Sequence, residues 1–334
     1  MLVVVTGPAA SSAKALDRKV FFISLIAVSA IPLMLLPLHD VHIATPINKL
    51  IVLTWIVAGY SHVMSTLWFG IDEDYRPVIA TNRARMLGSL AIIPAAMAGV
   101  AVASVTASSW IYAAYTMWLA HHYNRQNFGL VAFAAVHDDA GMVPRDVGLM
   151  LNLTTGAGAI SMAAMPSIYP GGISPFADPA FSYYGRFLAA GLMIAAAVVL
   201  VRLLIRNPHL KRCPMTLTFL GLGFAFYLPA LLGGPSEVSF WPYAMAHGLQ
   251  YLLMMSVVAR GSRLGFAGLA MFGVMALALG ILVVGMGTAP WAQFYTGIVM
   301  WHFLADARLW RLRDPLVRGV VKERFSFLFQ RAPV

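Results

Sequence analysis

The chain has 334 residues, of which 60% are hydrophobic and 11% charged, and its net charge is +10. A mean hydropathy of +0.77 excludes an ordinary soluble domain and indicates an integral membrane protein. Basic loops of a membrane protein explain the positive charge, so it requires no nucleic-acid partner.

Ten apolar stretches follow one another, each close to the roughly 20 residues that a helix needs to cross the hydrocarbon. They lie at about 20–38, 50–70, 86–106, 109–135, 147–168, 185–205, 215–233, 238–259, 264–286 and 289–309. The segments between them are short, with no low-complexity linker and no obvious internal repeat. The sequence therefore predicts a single all-α domain over residues 1–334, a polytopic membrane bundle of about ten transmembrane helices.

The start of the chain is basic, with Lys14, Arg18 and Lys19 ahead of the first apolar stretch. This pattern resembles a secretory signal, but no small-residue cleavage site follows it. We therefore expect residues 1–19 to be a cytoplasmic segment and the first helix to be retained. Cys213 is the single cysteine, which excludes an intramolecular disulfide and a multi-cysteine metal site within one chain.

The distribution of basic residues predicts the orientation, because Lys and Arg collect in cytoplasmic loops. With the N-terminus inside, ten helices place Lys49 and Arg186 outside, Arg125 within the fourth helix and the rest of the 23 basic residues inside. Both termini are thus predicted to be cytoplasmic. The basic tail, residues 310–334, is expected either to lie along anionic lipid headgroups or to be a solvated end that enforces topology.

Acidic residues form two groups in the predicted inside loops, and we expect them to be solvated helix ends. These groups are Asp72, Glu73 and Asp74, and the pair Asp138 and Asp139.

Five of the nine histidines lie inside the apolar stretches, where an ionisable group is costly unless it faces a cavity or a polar partner. They are His62, His121, His122, His247 and His302. The four helices that carry them run in the same direction, and each histidine lies between mid-span and the cytoplasmic end. We expect the other four mainly at the surface: His39, His42, His137 and His209.

Each intramembrane histidine has a polar residue one helical turn later on the same face. The pairs are His62 with Thr66, His121 with Arg125, His122 with Gln126, His247 with Tyr251, and His302 with Asp306, and Gln250 lies three residues after His247. A metal-bound imidazole usually donates its second N–H to such a neighbour. A single intramembrane histidine is also explained by an interhelical hydrogen bond.

Five histidines at compatible depth predict a shared metal site. Its expected ligands are His62, His121, His122, His247 and His302, with Asp306 as a further ligand or as a partner that orients His302. We expect four further residues to orient the ligands or to stabilise bound oxygen species: Arg125, Gln126, Gln250 and Tyr251. Arg125 is alternatively a counter-ion or the partner of Asp306.

Imidazole ligands suit iron, copper and zinc, and histidine with carboxylate and open positions suits non-haem iron that activates O₂. The ligand set is large enough for two ions. The pattern resembles membrane-embedded histidine-rich iron enzymes, namely the fatty-acid desaturases and hydroxylases and the Brp/Blh carotene-cleaving oxygenases. His302 to Asp306 resembles the late His-x-x-x-Asp element of the latter. The HxxxH and HxxHH boxes of desaturases and the Pro-His-Gly and His-Phe-Gly signatures of Brp/Blh proteins are absent.

The resemblance and the ligand pattern imply a multi-pass protein of the plasma or inner membrane, an oxidoreductase of the oxygenase, hydroxylase or desaturase type. It would act on a lipophilic substrate at an iron site and receive electrons from a donor protein. One alternative is haem-mediated electron transfer, with histidines as axial ligands. Another is proton-coupled transport, with His302, Asp306 and Arg125 as a relay.

Overall fold

The computed structural model describes residues 8–34, 54, 57–165, 169, 174–176, 178–232, 237–285 and 289–329. Within these ranges every regular element is helical and no strand occurs, as the sequence predicts. His39 and His42 lie outside the described residues, as do both chain ends, residues 1–7 and 330–334.

The α-helices, numbered here in chain order, account for most of the described residues. They are α1 (Pro8–Met34), α2 (His62–Ser65), α3 (Trp68–Ile71), α4 (Arg76–Ala103), α5 (Val105–His137), α6 (Arg145–Ala163), α7 (Pro179–Arg206), α8 (Pro214–Ala225), α9 (Leu228–Leu232), α10 (Glu237–Arg260), α11 (Gly265–Gly285), α12 (Ala289–Leu309), α13 (Pro315–Arg324) and α14 (Ser326–Phe329). Val57–Ser61 forms a π-helical turn ahead of α2, and Glu73–Tyr75 and Pro208–Arg212 form 3-10 turns.

Helical segments lie in the described part of each of the ten apolar intervals, and the second and seventh intervals are broken into shorter pieces. Four described stretches are long and apolar enough to cross a membrane by length and composition: Glu73–Ala103, Pro179–Arg206, Pro214–Leu232 and Gly265–Leu282. The chain is therefore an all-helical protein with membrane-compatible helices. Ten crossings and two cytoplasmic ends stay predictions.

The second apolar interval, which is broken into the turn Val57–Ser61 and the short helices α2 and α3, lies between two helices that approach it closely. On α10, a Cβ added at Gly248 would collide with the backbone carbonyl of Ala58. On α11, a Cβ added at Gly280 would collide with the hydroxyl of Ser61. Because glycine lacks a Cβ, both helices pack directly against the π-helical turn. Such turns occur frequently at functional sites, and this one immediately precedes His62.

The remaining helix pairs surround this segment. Helix α5 packs against α6 and α8, α10 packs against α1 and α11, and α12 packs along α4. The arrangement places α2, α5, α10 and α12 around one interior region, which contains four of the five predicted intramembrane histidines.

Asp138 corrects one expectation about the acidic loops, because it is a buried helix cap rather than a solvated residue. Its carboxylate accepts hydrogen bonds from the backbone N–H of Thr216 at 2.7 Å and from the Thr216 hydroxyl at 2.9 Å. The backbone N–H groups in the first turn of an α-helix, here that of Thr216 in α8, have no partner within their own helix. Asp138 therefore joins the end of α5 to the start of α8, whereas Asp139 is exposed.

The basic tail folds back onto the bundle along α13 and α14. The apolar side of α13, with Val317 and Val321, is buried in the protein, as is Phe325. Its opposite side exposes Arg318 and Lys322. Val317, Val321 and Phe325 therefore pack against the chain itself, whereas Leu312, Leu316 and Phe329 are exposed. The two sequence-based expectations for this segment stay predictions.

Candidate metal centre

Four of the predicted histidines meet in the interior. The ring centroids of His62 and His247 lie 4.9 Å apart, and those of His62 and His302 lie 5.2 Å apart. His122 lies 4.9 Å from His247 and 5.0 Å from His302, measured between the same points. All four side chains are buried, as is Asp306. The four segments, distant along the chain, therefore contribute one imidazole each to a single cluster.

Two overlapping groups of side chains in this cluster have the spacing of a metal site. One consists of His62, His247 and His302, and the other of His122, His302 and Asp306. In each group, one nitrogen or oxygen atom from every residue lies within 4.8 Å of the others. Metal–nitrogen bonds of about 2.0–2.1 Å place opposite ligands about 4.2 Å apart. Small side-chain shifts would therefore close either group around an ion.

The hydrogen bond made by His62 determines which of its nitrogens is free. Its Nδ1 lies 2.6 Å from the backbone carbonyl oxygen of Ala58, and a carbonyl oxygen only accepts. Nδ1 therefore carries the proton, and Nε2 of a neutral imidazole has the lone pair that a metal requires. This is the usual arrangement of a metal-bound histidine, with the second nitrogen donating to a backbone carbonyl.

A chain of hydrogen bonds places the proton of His302 on Nδ1 as well. Tyr251 donates its hydroxyl proton to Oδ1 of Asp306 at 2.6 Å. The Tyr251 oxygen then accepts from the hydroxyl of Thr66 at 3.2 Å. Because that hydroxyl has only one proton, its oxygen accepts from Nδ1 of His302 at 2.6 Å. Nε2 of His302 is consequently left with its lone pair.

The remaining ligand atoms of these side chains converge. Nε2 of His302 lies 3.6 Å from Oδ2 of Asp306, and Nε2 of His122 lies 3.9 Å from the same oxygen. Among the described residues these two nitrogens and both ring nitrogens of His247 are buried and make no hydrogen bond. Buried polar atoms normally have partners. A cation bound in this cluster would give some of these atoms the partner that they lack.

His302 belongs to both groups, and this restricts how they are filled. Its Nδ1 is engaged with Thr66, so only Nε2 remains for an ion. One imidazole nitrogen has one lone pair. The two groups are therefore overlapping positions around His302, and an ion in one of them uses the ligand that the other needs.

The one-turn pairing seen in the sequence acts between helices more than within them. Only His302 and Asp306 face each other directly among the pairs. Thr66, one turn after His62, bonds to His302, and Tyr251, one turn after His247, bonds to Asp306. These polar residues thus support ligands on a neighbouring helix, a relationship that spacing along one helix does not reveal.

Gln126 and Gln250 form a second polar chain beside the cluster. Nε2 of Gln126 donates to the backbone carbonyl of His247 at 3.0 Å and to Oε1 of Gln250 at 2.7 Å. Gln250 in turn donates to the hydroxyl of Ser29 at 2.8 Å, and Ser29 donates to the carbonyl of Leu25. Both amides therefore hold α1, α5 and α10 together. Sequence reasoning missed Ser29 because a lone serine in an apolar helix has no distinguishing pattern.

His121 and Arg125 lie outside the cluster. Both side chains are exposed, and His121 is absent from the two ligand groups that the described residues form. Consecutive residues on an α-helix point about 100° apart, so only one of two adjacent histidines can face the interior, and it is His122. The hydrogen bond that Asp306 accepts comes from Tyr251, not from Arg125.

Aromatic rings cover the cluster. Phe303 stacks on His122 with 4.3 Å between ring centroids, and Tyr123 lies 4.2 Å from His247. Both are buried. Sequence reasoning assigned no role to these rings, and in the structure they pack against the imidazoles of His122 and His247.

An ionic contact lies just after α3, in the loop that follows the His62 segment. The buried guanidinium of Arg324 donates to Asp72 at 3.2 Å and also to Asp74. Asp72 is buried too, so the prediction of a solvated residue is wrong for it. Burial raises the pKa of the Asp72 carboxyl, although Arg324 acts in the opposite direction. The contact ties α13 to the loop that follows the His62 segment.

Comparison of this chain with protein families, with curated proteins and with solved structures found no match.

Proposed function

We propose that this chain is a membrane-bound, metal-dependent oxidoreductase that binds one iron ion through His122, His302 and Asp306, with His62 and His247 as the neighbouring imidazoles of the cluster. Its reaction would be of the oxygenase, hydroxylase or desaturase type, on a lipophilic substrate. The observation that carries the proposal is the convergence of unpaired, buried imidazole nitrogens on the Asp306 carboxylate. Neither His121 nor Arg125 belongs to the proposed site.

The donor set supports iron over other groups. Several imidazoles and one carboxylate, with no thiolate, suit non-haem iron and leave coordination positions for oxygen or substrate. Haem is less well supported, because the histidine rings contact one another edge to face and give a porphyrin no slot. Since an ion in either group needs Nε2 of His302, we propose one iron ion per chain.

The surroundings support a lipophilic substrate. The cluster is enclosed by helices, and the described chain includes four that are apolar enough to cross a membrane. Rings such as Phe303 and Tyr123 present apolar surface beside the imidazoles. We propose a multi-pass protein of the plasma or inner membrane, with the substrate reaching the site from the bilayer.

Each polar residue has a defined task in this proposal. Iron, when bound, would supply one-electron chemistry and oxygen activation. Thr66 and Tyr251 hold His302 and Asp306 in the protonation states that a metal needs. Gln126 and Gln250 fix the backbone that carries His247.

Elemental analysis of detergent-purified protein tests the proposal. Wild-type protein should contain about one iron per chain, and His302→Ala and His122→Ala should lose it. His121→Ala is the matched control, since it removes the adjacent, exposed imidazole, and it should keep full occupancy.

Full occupancy in His302→Ala and His122→Ala would refute the ligand assignment. A Soret band after haem-replete expression would show that the centre binds haem rather than non-haem iron. Zinc as the sole bound metal would indicate that the protein is a hydrolase. Proton-coupled uptake into vesicles by metal-free protein would indicate that it is a transporter.

A further inference from the structure

Trp310 lies between the candidate metal centre and the protein surface. It follows the end of α12, and its backbone N–H bonds to the carbonyl of Asp306, one turn earlier, at 3.0 Å. Its ring centroid is 6.4 Å from that of Tyr251, which is 5.1 Å from that of His302. Two short steps between rings therefore connect Trp310 with a proposed iron ligand.

The indole of Trp310 is only partly buried, whereas Tyr251 and His302 are buried. Trp310 is followed at once by the exposed residues Arg311 and Arg313. This ring series thus begins at the surface, next to positive charge, and ends at the centre.

A second ring series leaves the centre through Phe303, which lies 4.3 Å from His122 and 5.6 Å from Trp118 between centroids. Trp118 is flanked by Met117 and Leu119 and has no adjacent charge. The series through Tyr251 and Trp310 is therefore the one that joins the centre to a charged surface, and an electron can tunnel along its ring contacts.

The surface around Trp310 is basic. Its exposed cationic residues are Arg311, Arg313, Arg318 and Lys322. Asp314 is partly turned inward as the N-cap of α13, where its carboxylate accepts from the N–H of Leu316 at 2.9 Å. Glu323, Leu312 and Leu316 are also exposed here, so the surface left for a partner is mixed, with basic residues in excess. A positive surface of this kind steers acidic proteins.

We propose that an acidic, soluble one-electron carrier protein docks on this basic surface and reduces the bound metal through Trp310 and Tyr251. The carrier gives up one electron and becomes oxidised, and ferric iron at the His302 site takes up that electron and becomes ferrous. No covalent bond forms or breaks between the two proteins. The inference rests on the proposed iron centre and names its electron donor.

Stopped-flow reduction of the ferric, iron-loaded protein by reduced plant-type ferredoxin, an acidic carrier, provides the test. Trp310→Leu keeps an apolar side chain but removes the ring that bridges the surface and Tyr251, and it should slow reduction at least tenfold with iron content unchanged. Trp110→Leu, at an exposed tryptophan outside the ring series, should reduce at the wild-type rate.

The docking surface is tested by the double variant Arg311→Glu with Arg313→Glu. Reduction by ferredoxin should slow at least tenfold and lose its dependence on ionic strength, while reduction by a small uncharged hydroquinone should be unchanged. Arg206→Glu, at another exposed arginine, is the matched control and should behave as wild type.

Wild-type rates in Trp310→Leu or in the double variant would overturn this inference while leaving the iron centre intact. Lost binding to phosphatidylserine vesicles by the double variant, with normal reduction by ferredoxin, would assign the surface to lipid instead. Wild-type protein that retains no iron would remove the proposed function and this inference together.

Discussion

Tyr251 on α10 donates a 2.6 Å hydrogen bond to Asp306 on α12. The bond leaves Oδ2 of Asp306 directed toward His302 and His122. It engages one carboxylate oxygen and frees the other, so an ion would be bound by Asp306 through Oδ2 alone. Tyr251 is therefore a positioning residue for a ligand on another helix.

Tyr251→Phe should weaken iron binding about tenfold to a hundredfold, the usual effect of removing a partner that orients a ligand. Competition with a chelator of known affinity measures the change. Tyr183→Phe, at an exposed tyrosine, provides the matched control. Equal affinity in the wild type and Tyr251→Phe would show that Asp306 is held without this bond.

Thr66→Val should weaken iron binding by about tenfold, because it removes the acceptor for Nδ1 of His302 while keeping the volume of the side chain. Thr66→Ser retains the hydroxyl and should restore affinity close to that of the wild type. The same competition titration compares them, and thermal denaturation confirms that both are folded. Equal loss in both variants would attribute the effect to packing.

Gly248→Ala should destabilise the protein by about 1–3 kcal/mol, as overpacking does, and lower its iron content. The added methyl group would collide with the carbonyl of Ala58, which also accepts the hydrogen bond from His62. Thermal denaturation and elemental analysis measure the two effects. Gly273→Ala, where a Cβ meets nothing within 4 Å, should change neither.

Arg324→Met should destabilise the protein by about 3–5 kcal/mol, because it leaves the buried carboxylate of Asp72 without its counter-ion. Arg202→Met breaks the more exposed pair with Asp146 and should cost no more than about 1 kcal/mol. Unfolding in mixed micelles with increasing dodecyl sulfate measures both. Similar losses in the two variants would show that the Arg324 contact is solvated in the membrane-bound protein.

The helical class follows from the sequence because apolar stretches of this length can satisfy their backbone polar groups only within helices or closed barrels when they lie in a bilayer. Helices occur in each predicted interval for this reason, whereas α13 and α14 lie outside them, in the tail. The buried histidines were also recognisable, since an imidazole in such a stretch needs a polar neighbour. Four of the five predicted ones are buried in a common cluster.

Side-chain direction was not predictable from the sequence. The choice of His122 over His121 depends on how α5 is rotated against α10 and α12, which no local pattern specifies. The partners of Thr66, Tyr251 and the acid Asp72 come from distant segments for the same reason. Composition and periodicity determine which residues must be buried, but the packing of helices determines which of them meet. That is why the sequence alone indicated a histidine site and only the tertiary structure decided its members.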